Sequence, residues 1–216
     1  LLDVTMEDLH DMPKQLYDGK IKKLREKTQG QLIVKEYPTA SAHSGHFKSL
    51  INELALKKSF RPDVIFIDYL NICASSRFKG GNISSYFYIK AIAEELRGLA
   101  VEQNVPIFSA TQTTRTGFVS TDIGLEDTSE SFGLPATADF MFALMSNEEL
   151  EALGQMKVKQ LKNRYNDPSI NRAFIIGVDR SKMRLYDVQQ KAGDIVDANQ
   201  VDEKEDAYNK FSDFKL

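Results

Sequence analysis

Pro62 and Asp63 lead into an unbroken apolar run, Val64-Ile65-Phe66-Ile67, that stops on an aspartate, Asp68. An alternating run describes a strand with one wet face. A continuous one describes a strand covered on both faces, as at the centre of a parallel sheet. Burying a carboxylate there without a partner is costly, so Asp68 is expected at the carboxyl end of the strand. In open α/β sheets that edge is where ligands bind. Asp68 is therefore either a loop cap or ion-pair partner, or a group serving metal or nucleotide chemistry.

The rest of the chain reads as strands and helices in alternation. Thr5 starts a helix, with Asp8 at the capping-box position. A second helix is expected over about Pro13 to Lys27, with Leu16, Ile21 and Leu24 on its buried side and Gly30 after its end. Gln31 to Glu36 reads as a short strand stopped by Pro38. Ser44 is a candidate cap for a helix over Gly45 to Lys58, where Phe47, Leu50, Ile51, Leu54 and Ala55 recur at helical spacing. After the strand ending in Asp68, Arg77 to Asn82 is a basic, glycine-containing loop. A helix over Ser84 to Asn104 should turn Ile89, Ile92, Leu96, Leu99 and Ala100 inward. Val105 to Ala110 is another strand, with Pro106 tolerated near its start. Thr111 to Thr128 is a long polar loop of the kind that is functional or disordered. Strands are expected at Ala138 to Met145, Lys157 to Arg164, Ala173 to Val178 and Lys182 to Val188, with a short helix over Asn147 to Leu153. The fold class is α/β: a mostly parallel core with antiparallel strands added toward the C-terminus.

Composition bounds the function classes. At 216 residues, 42% hydrophobic and 27% charged, one core-forming domain plus a tail is expected. We place the division at residues 1–190 for the domain and 191–216 for an acidic, loosely ordered tail. No apolar run reaches bilayer length and no signal-peptide pattern occurs. The single cysteine, Cys73, suits a reducing cytoplasm and cannot build a Cys-based zinc site. The net charge of -3 conceals a basic stretch from Lys157 to Arg184, so nucleic-acid contact would be local. The chain opens on Leu1-Leu2-Asp3 rather than methionine, which reads as a piece of something longer.

Two strand–helix alternations bring the carboxyl ends of two strands together, one ending in Asp68 and the other in Ala110-Thr111-Gln112. A carboxylate and an amide at adjacent strand ends suit a nucleoside triphosphate and its magnesium; a loop amide bonded to backbone is the plain alternative for Gln112. In a strand over Lys157 to Arg164, Gln160, Lys162 and Arg164 share one face. Two cations projecting together make a phosphate clamp or an arginine finger, or else a solvated edge strand guarded by lysine. His43 and His46 lack a third group to complete a metal-ligand set. Ser109 and Thr111 have no base positioned by sequence, so nucleophilic catalysis has no support.

Taken together, Val64 to Leu70, Ser109 to Gln112 and Lys162-Asn163-Arg164 resemble, in order and spacing, the Walker B strand, the strand-end glutamine and the Lys-x-Arg of DnaB-type replicative helicases. Ser129 to Asp139 is similar to the DNA-binding stretch of that family. The likeness runs from about Leu1 to Val188 and is greatest to phage-encoded members of T-even type. It implies a RecA-like core, a homo-hexameric ring, and ATP- or GTP-driven movement on single-stranded DNA with duplex unwinding. It implies that Asp68 binds Mg²⁺, that Gln112 senses the γ-phosphate, and that Lys162 and Arg164 act on the neighbouring subunit's nucleotide. Arg77, Lys79, Arg115, Ser129, Glu130 and Ser131 are the implied DNA contacts. Primase, helicase loader or polymerase are the implied protein partners.

The departures are equally definite. No G-x-x-x-x-G-K-[ST] occurs in these residues, and the family's catalytic glutamate lies upstream of them. We therefore read the C-terminal part of a helicase, expected not to hydrolyse nucleotide by itself. The family's Arg-Glu-Ser-Gly is Ser129-Glu130-Ser131-Phe132 here. A recombinase-like ATPase and a non-catalytic DNA- or protein-binding module are the alternative readings.

Overall fold

The computed structural model describes residues 2–78, 83–113, 124–125, 133–167 and 170–189. Helices α1 (Met6–Asp11), α2 (Lys14–Lys27) and α3 (Ser44–Lys58) come first, then strand β1 (Ile65–Ile67) and a 3₁₀ turn at Leu70–Ile72. Next are helix α4 (Ser85–Gln103), strand β2 (Ile107–Ser109) and the short helix α5 (Gly133–Thr137). Strand β3 (Phe140–Met145), helix α6 (Glu148–Ala152) and strands β4 (Gln155–Asn163), β5 (Ala173–Asp179) and β6 (Arg184–Asp187) complete the described chain. It divides into two compact units, one of Leu32–Met141 with Leu161–Pro168, the other of Leu1–Gln31, Phe142–Gln160 and Ser169–Leu216.

The first of these carries the parallel pair. Ile65 stands opposite Ile107, and Ile67 opposite Ser109. α4 supplies most of the core beneath: Ile89, Ile92, Ala93 and Leu96 bury against Leu70, Cys73 and Leu134, with Phe47, Ile67 and Tyr88 packed around them. The helical spacing of these residues in the sequence is the reason one face of α4 is buried. Burial of the Cys73 thiol raises its pKa, which makes it an inert core residue.

The second unit holds the antiparallel strands. Sheet order is β3-β4-β5-β6, with β4 antiparallel to β5 and β5 antiparallel to β6. Tyr186 of β6 stands directly opposite Gly177 of β5. The N-terminal segment is tied to the turn after β5, where Met6 N donates to the Ser181 carbonyl at 2.8 Å.

Several expectations are corrected. Strand β1 is not covered on both faces: Ile67 packs on the core, but Phe66, pointing the other way, is 71% exposed and stacks on Phe108 with ring centroids 5.4 Å apart. The segment Gln31 to Glu36 has extended residues but no strand partner among the described residues, and Leu32 and Val34 are each 82% exposed. A strand exists only when a neighbour accepts its hydrogen bonds, which local pattern cannot supply. α2 buries none of its residues, and Leu16 is exposed. The cap of α3 is His43 rather than Ser44: His43 Nδ1 accepts from Gly45 N at 3.0 Å, and His46 Nδ1 accepts from His43 N at 3.2 Å. Thr5 does cap α1, accepting from Asp8 N at 3.0 Å. The stretch assigned to an acidic tail, and most of the loop from Thr111 to Thr128, lie outside the described residues.

Candidate functional site

The carboxyl ends of β1 and β2 lie side by side. Ser109 Oγ donates to the Ile67 carbonyl at 2.8 Å, and Leu70 N donates to the Ala110 carbonyl at 3.2 Å, so the two chains stay in register past the strands. Asp68 leaves β1 at this edge, exposed, and has no hydrogen-bond or ion-pair partner among the described residues; its peptide bond to Tyr69 is cis. Gln112 leaves β2 at the same edge, and its Nε2 reaches the Tyr69 hydroxyl at a long 3.4 Å. Two buried polar atoms, Asn71 Oδ1 and Thr111 Oγ1, have no hydrogen-bond partner, and both belong to the segments that leave these strands.

A group of polar contacts organises the chain just after β1. Glu95 of α4 accepts from Ser75 Oγ at 2.6 Å, Ser76 N at 2.9 Å, Ser76 Oγ at 2.7 Å and Ser44 Oγ at 3.0 Å. Burial pushes its pKa up, but the hydrogen bonds from Ser75, Ser76 and Ser44 outweigh that and hold the carboxyl at about 2. One position earlier on α4, Glu94 pairs with the Arg77 guanidinium at 2.5 Å. The residues leading toward the basic loop are thus bound to α4 by two consecutive carboxylates. Lys79, Arg115, Ser129, Glu130 and Ser131, also assigned to DNA contact, lie outside the described residues.

Lys162 near the end of β4 and Arg164 just beyond it both terminate on the stretch from Pro135 to Asp139. Lys162 Nζ donates to the Pro135 carbonyl, and Arg164 N donates to the Asp139 carbonyl at 2.9 Å. The Arg164 guanidinium meets Asp139 Oδ1 at 2.7 Å. The same oxygen accepts from Arg97 of α4 at 2.8 Å, and Arg97 also donates to the Thr137 carbonyl at 2.7 Å.

Sequence reasoning missed Glu94, Glu95 and Arg97. The signal available was a cluster of charges at the positions flanking buried Leu96 on an otherwise inward-facing helix. His43 and His46, by contrast, commit their Nδ1 atoms to the cap of α3, and no group of three or more His, Cys, Asp or Glu able to hold a metal occurs among the described residues. No helix among those residues is long and apolar enough to cross a membrane.

No protein-family model matches the chain. It is 41% identical over 218 aligned residues to the DnaB-like replicative helicase of Enterobacteria phage T4, an alignment covering 97% of this chain. The chain spans 46% of the length of that relative. Among solved structures it is similar to a helicase ATPase domain, with a TM-score of 0.70 at 16% identity, over 87% of this chain and 67% of the other. It is also similar to a structure of a DnaB-like replicative helicase and its interactions with primase, with a TM-score of 0.69 at 15% identity, over 87% of this chain and 45% of that one. The fold is that of RecA-like, DnaB-like helicase ATPase domains, a parallel sheet joined in one chain to antiparallel strands.

Proposed function

We propose that this chain is part of a replicative DNA helicase, an NTP-driven motor that moves on single-stranded DNA as a homo-hexameric ring and unwinds duplex. The observation that carries the reading is an exposed, unpartnered aspartate beside a glutamine at adjacent parallel strand ends, in a chain 41% identical along 97% of its length to a replicative helicase. On this reading the protein works in the cytoplasm of the host cell and meets primase, helicase loader or polymerase there. Arg77, with Lys79, Arg115, Ser129, Glu130 and Ser131, would face DNA.

Asp68 fits a magnesium ion on chemical grounds: a lone accessible carboxylate suits an ion that keeps most of its waters and takes its other ligands from phosphate. Mg²⁺ bound with ATP or GTP supplies positive charge to the phosphates during transfer. Asp68 would hold that ion, directly or through water. Gln112 would donate its amide to the terminal phosphate or orient the attacking water. Lys162 and Arg164 would neutralise charge on the neighbouring subunit's nucleotide, Arg164 through a planar fork of donors that lysine lacks.

The test is DNA-stimulated ATP hydrolysis by the whole gene product that carries these residues, beside Asp68→Asn and Arg164→Ala. Each substitution should lower turnover by about a thousandfold or more, Arg164→Ala with little change in nucleotide binding. Mixing the two variants should recover part of the activity, because some interfaces would then pair an intact Asp68 with an intact Arg164. Unchanged turnover in Arg164→Ala would refute action across subunits. Absence of DNA-stimulated turnover in the unsubstituted protein would leave a binding module as the better description.

A further inference from the structure

We infer that Asp139 is a positioning residue for Arg164, fixing the direction in which the guanidinium is presented; the inference rests on the role proposed for Arg164 above. One carboxylate oxygen, Asp139 Oδ1, lies 2.7 Å from the Arg164 guanidinium and 2.8 Å from that of Arg97. Arg97 is itself fixed, since it sits on α4 between buried Leu96 and Leu99 and donates to the Thr137 carbonyl at 2.7 Å. The main chain adds a second lock, Arg164 N to the Asp139 carbonyl at 2.9 Å. Arg164 therefore has its backbone and one guanidinium nitrogen held by a single residue, while its other guanidinium nitrogens have no partner among the described residues. A long side chain that would otherwise sample many rotamers is held from behind with its remaining donors available.

Magnitudes separate positioning from simple stabilisation. All three side chains are between a third and a half exposed, and ion pairs that wet contribute little to folding. A charge that reaches a phosphate from the wrong angle, by contrast, costs about a hundredfold in rate for each ångström of misplacement. The contact should thus matter far more to turnover than to melting temperature. Its setting also links two regions of the unit: Glu94, Glu95 and Arg97 lie within one turn of α4, so the helix that binds Arg77, Ser75 and Ser76 also binds, through Asp139, Arg164.

The experiment is steady-state ATP hydrolysis by the whole gene product carrying Asp139→Asn, Arg164→Ala and both together, with thermal melting of each. Asp139→Asn keeps the size and an acceptor oxygen but removes the charge that holds two guanidinium groups. The expected result is a fall in kcat of about tenfold to a hundredfold at unchanged KM, little change in melting, and no further loss when added to Arg164→Ala. If Asp139→Asn turns over normally while Arg164→Ala does not, the inference is wrong and the role of Arg164 stands. If the two losses multiply in the double variant, Asp139 acts elsewhere and the inference is also wrong. If Arg164→Ala itself is harmless, the reading of Arg164 fails first and takes the inference with it. Should Asp139→Asn not fold, Arg97→Gln, which removes the second anchor of Asp139 without touching Arg164, must show a loss in kcat that likewise vanishes in the Arg164→Ala background.

Discussion

Ser75 Oγ donates to Glu95 Oε1 at 2.6 Å, joining the segment that leaves β1 to the middle of α4. With Ser76 and Ser44 also donating, this carboxylate serves as the acceptor for three hydroxyls and a backbone N–H. Its pKa, about 2 against an ordinary 4.5, carries a pH signature. Because the folded value is depressed, the stabilisation is fully present above pH 4.5 and is lost as pH falls from there toward 2. Glu95→Gln should lower stability at pH 7 by about 1–3 kcal/mol, since hydrogen bonds to a charged group are lost and an amide presents donors to donors. Urea denaturation at pH 7 and at pH 3 would check this: the gap between wild type and variant should narrow at the lower pH, and an equal gap at both would rule out the carboxylate as its source.

Helix α3 depends on an imidazole for its cap. His43→Ala should cost about 1 kcal/mol, and His43→Asn should recover most of it, because asparagine offers an oxygen to the same N–H groups. Gly45→Ala tests the geometry from the other side. A Cβ there would meet His43 Cε1 at 2.8 Å and push the ring from its place. The usual gain of about 1 kcal/mol from replacing glycine in a helix should then be largely cancelled. Melting curves of the three variants decide it; a full gain in Gly45→Ala would mean the cap contributes nothing.

Thr111 holds a buried hydroxyl oxygen with no partner, two strand-end residues after Ser109. Replacing an unsatisfied buried polar group by an apolar one of the same shape is neutral or stabilising. Thr111→Val should therefore raise stability by up to about 1 kcal/mol in denaturant titration. Lower turnover in the same variant would mark the hydroxyl as one kept for the nucleotide site next to Gln112; lower stability would show that it is hydrogen-bonded after all.

Gly177 lies under the Tyr186 ring, and a Cβ built there would sit 2.3 Å from two ring carbons. Gly177→Ala must turn the tyrosine outward, which also separates it from the Arg184 guanidinium, now 6.0 Å from the ring centre. The ring is partly exposed and has somewhere to go, so the expected cost is about 0.5–1.5 kcal/mol rather than unfolding. Tyr186→Ala should cost a similar amount, and Gly177→Ala should add little to it, because the clash has gone.

The legibility of each element in the sequence depends on the range of the forces that shape it. The buried face of α4 was readable because Ile89, Ile92, Leu96 and Leu99 recur at 3.6-residue spacing, and one helix meets one core. The antiparallel strands β4, β5 and β6 were readable from their apolar pattern, and Asp68 could be expected at a strand end because burying its charge is costly. The strand expected at Gln31 to Glu36 failed for the opposite reason: its residues suit an extended chain, but pairing needs a neighbour at the right height, and none of the described residues provides one.

The charged contacts belong to the tertiary structure alone. Nothing local to Asp139 states that its carboxylate will lie between Arg97, on a helix far earlier in the chain, and Arg164, beyond the end of β4. Nor does the Ser75-Ser76 pair announce that Glu95 will gather its hydroxyls. Hydrophobic periodicity is set within an element, by which side must leave water, and so can be read from the chain. Ion pairs and hydrogen bonds between elements depend on where the packed core delivers each backbone, to within an ångström, and only the folded chain decides that.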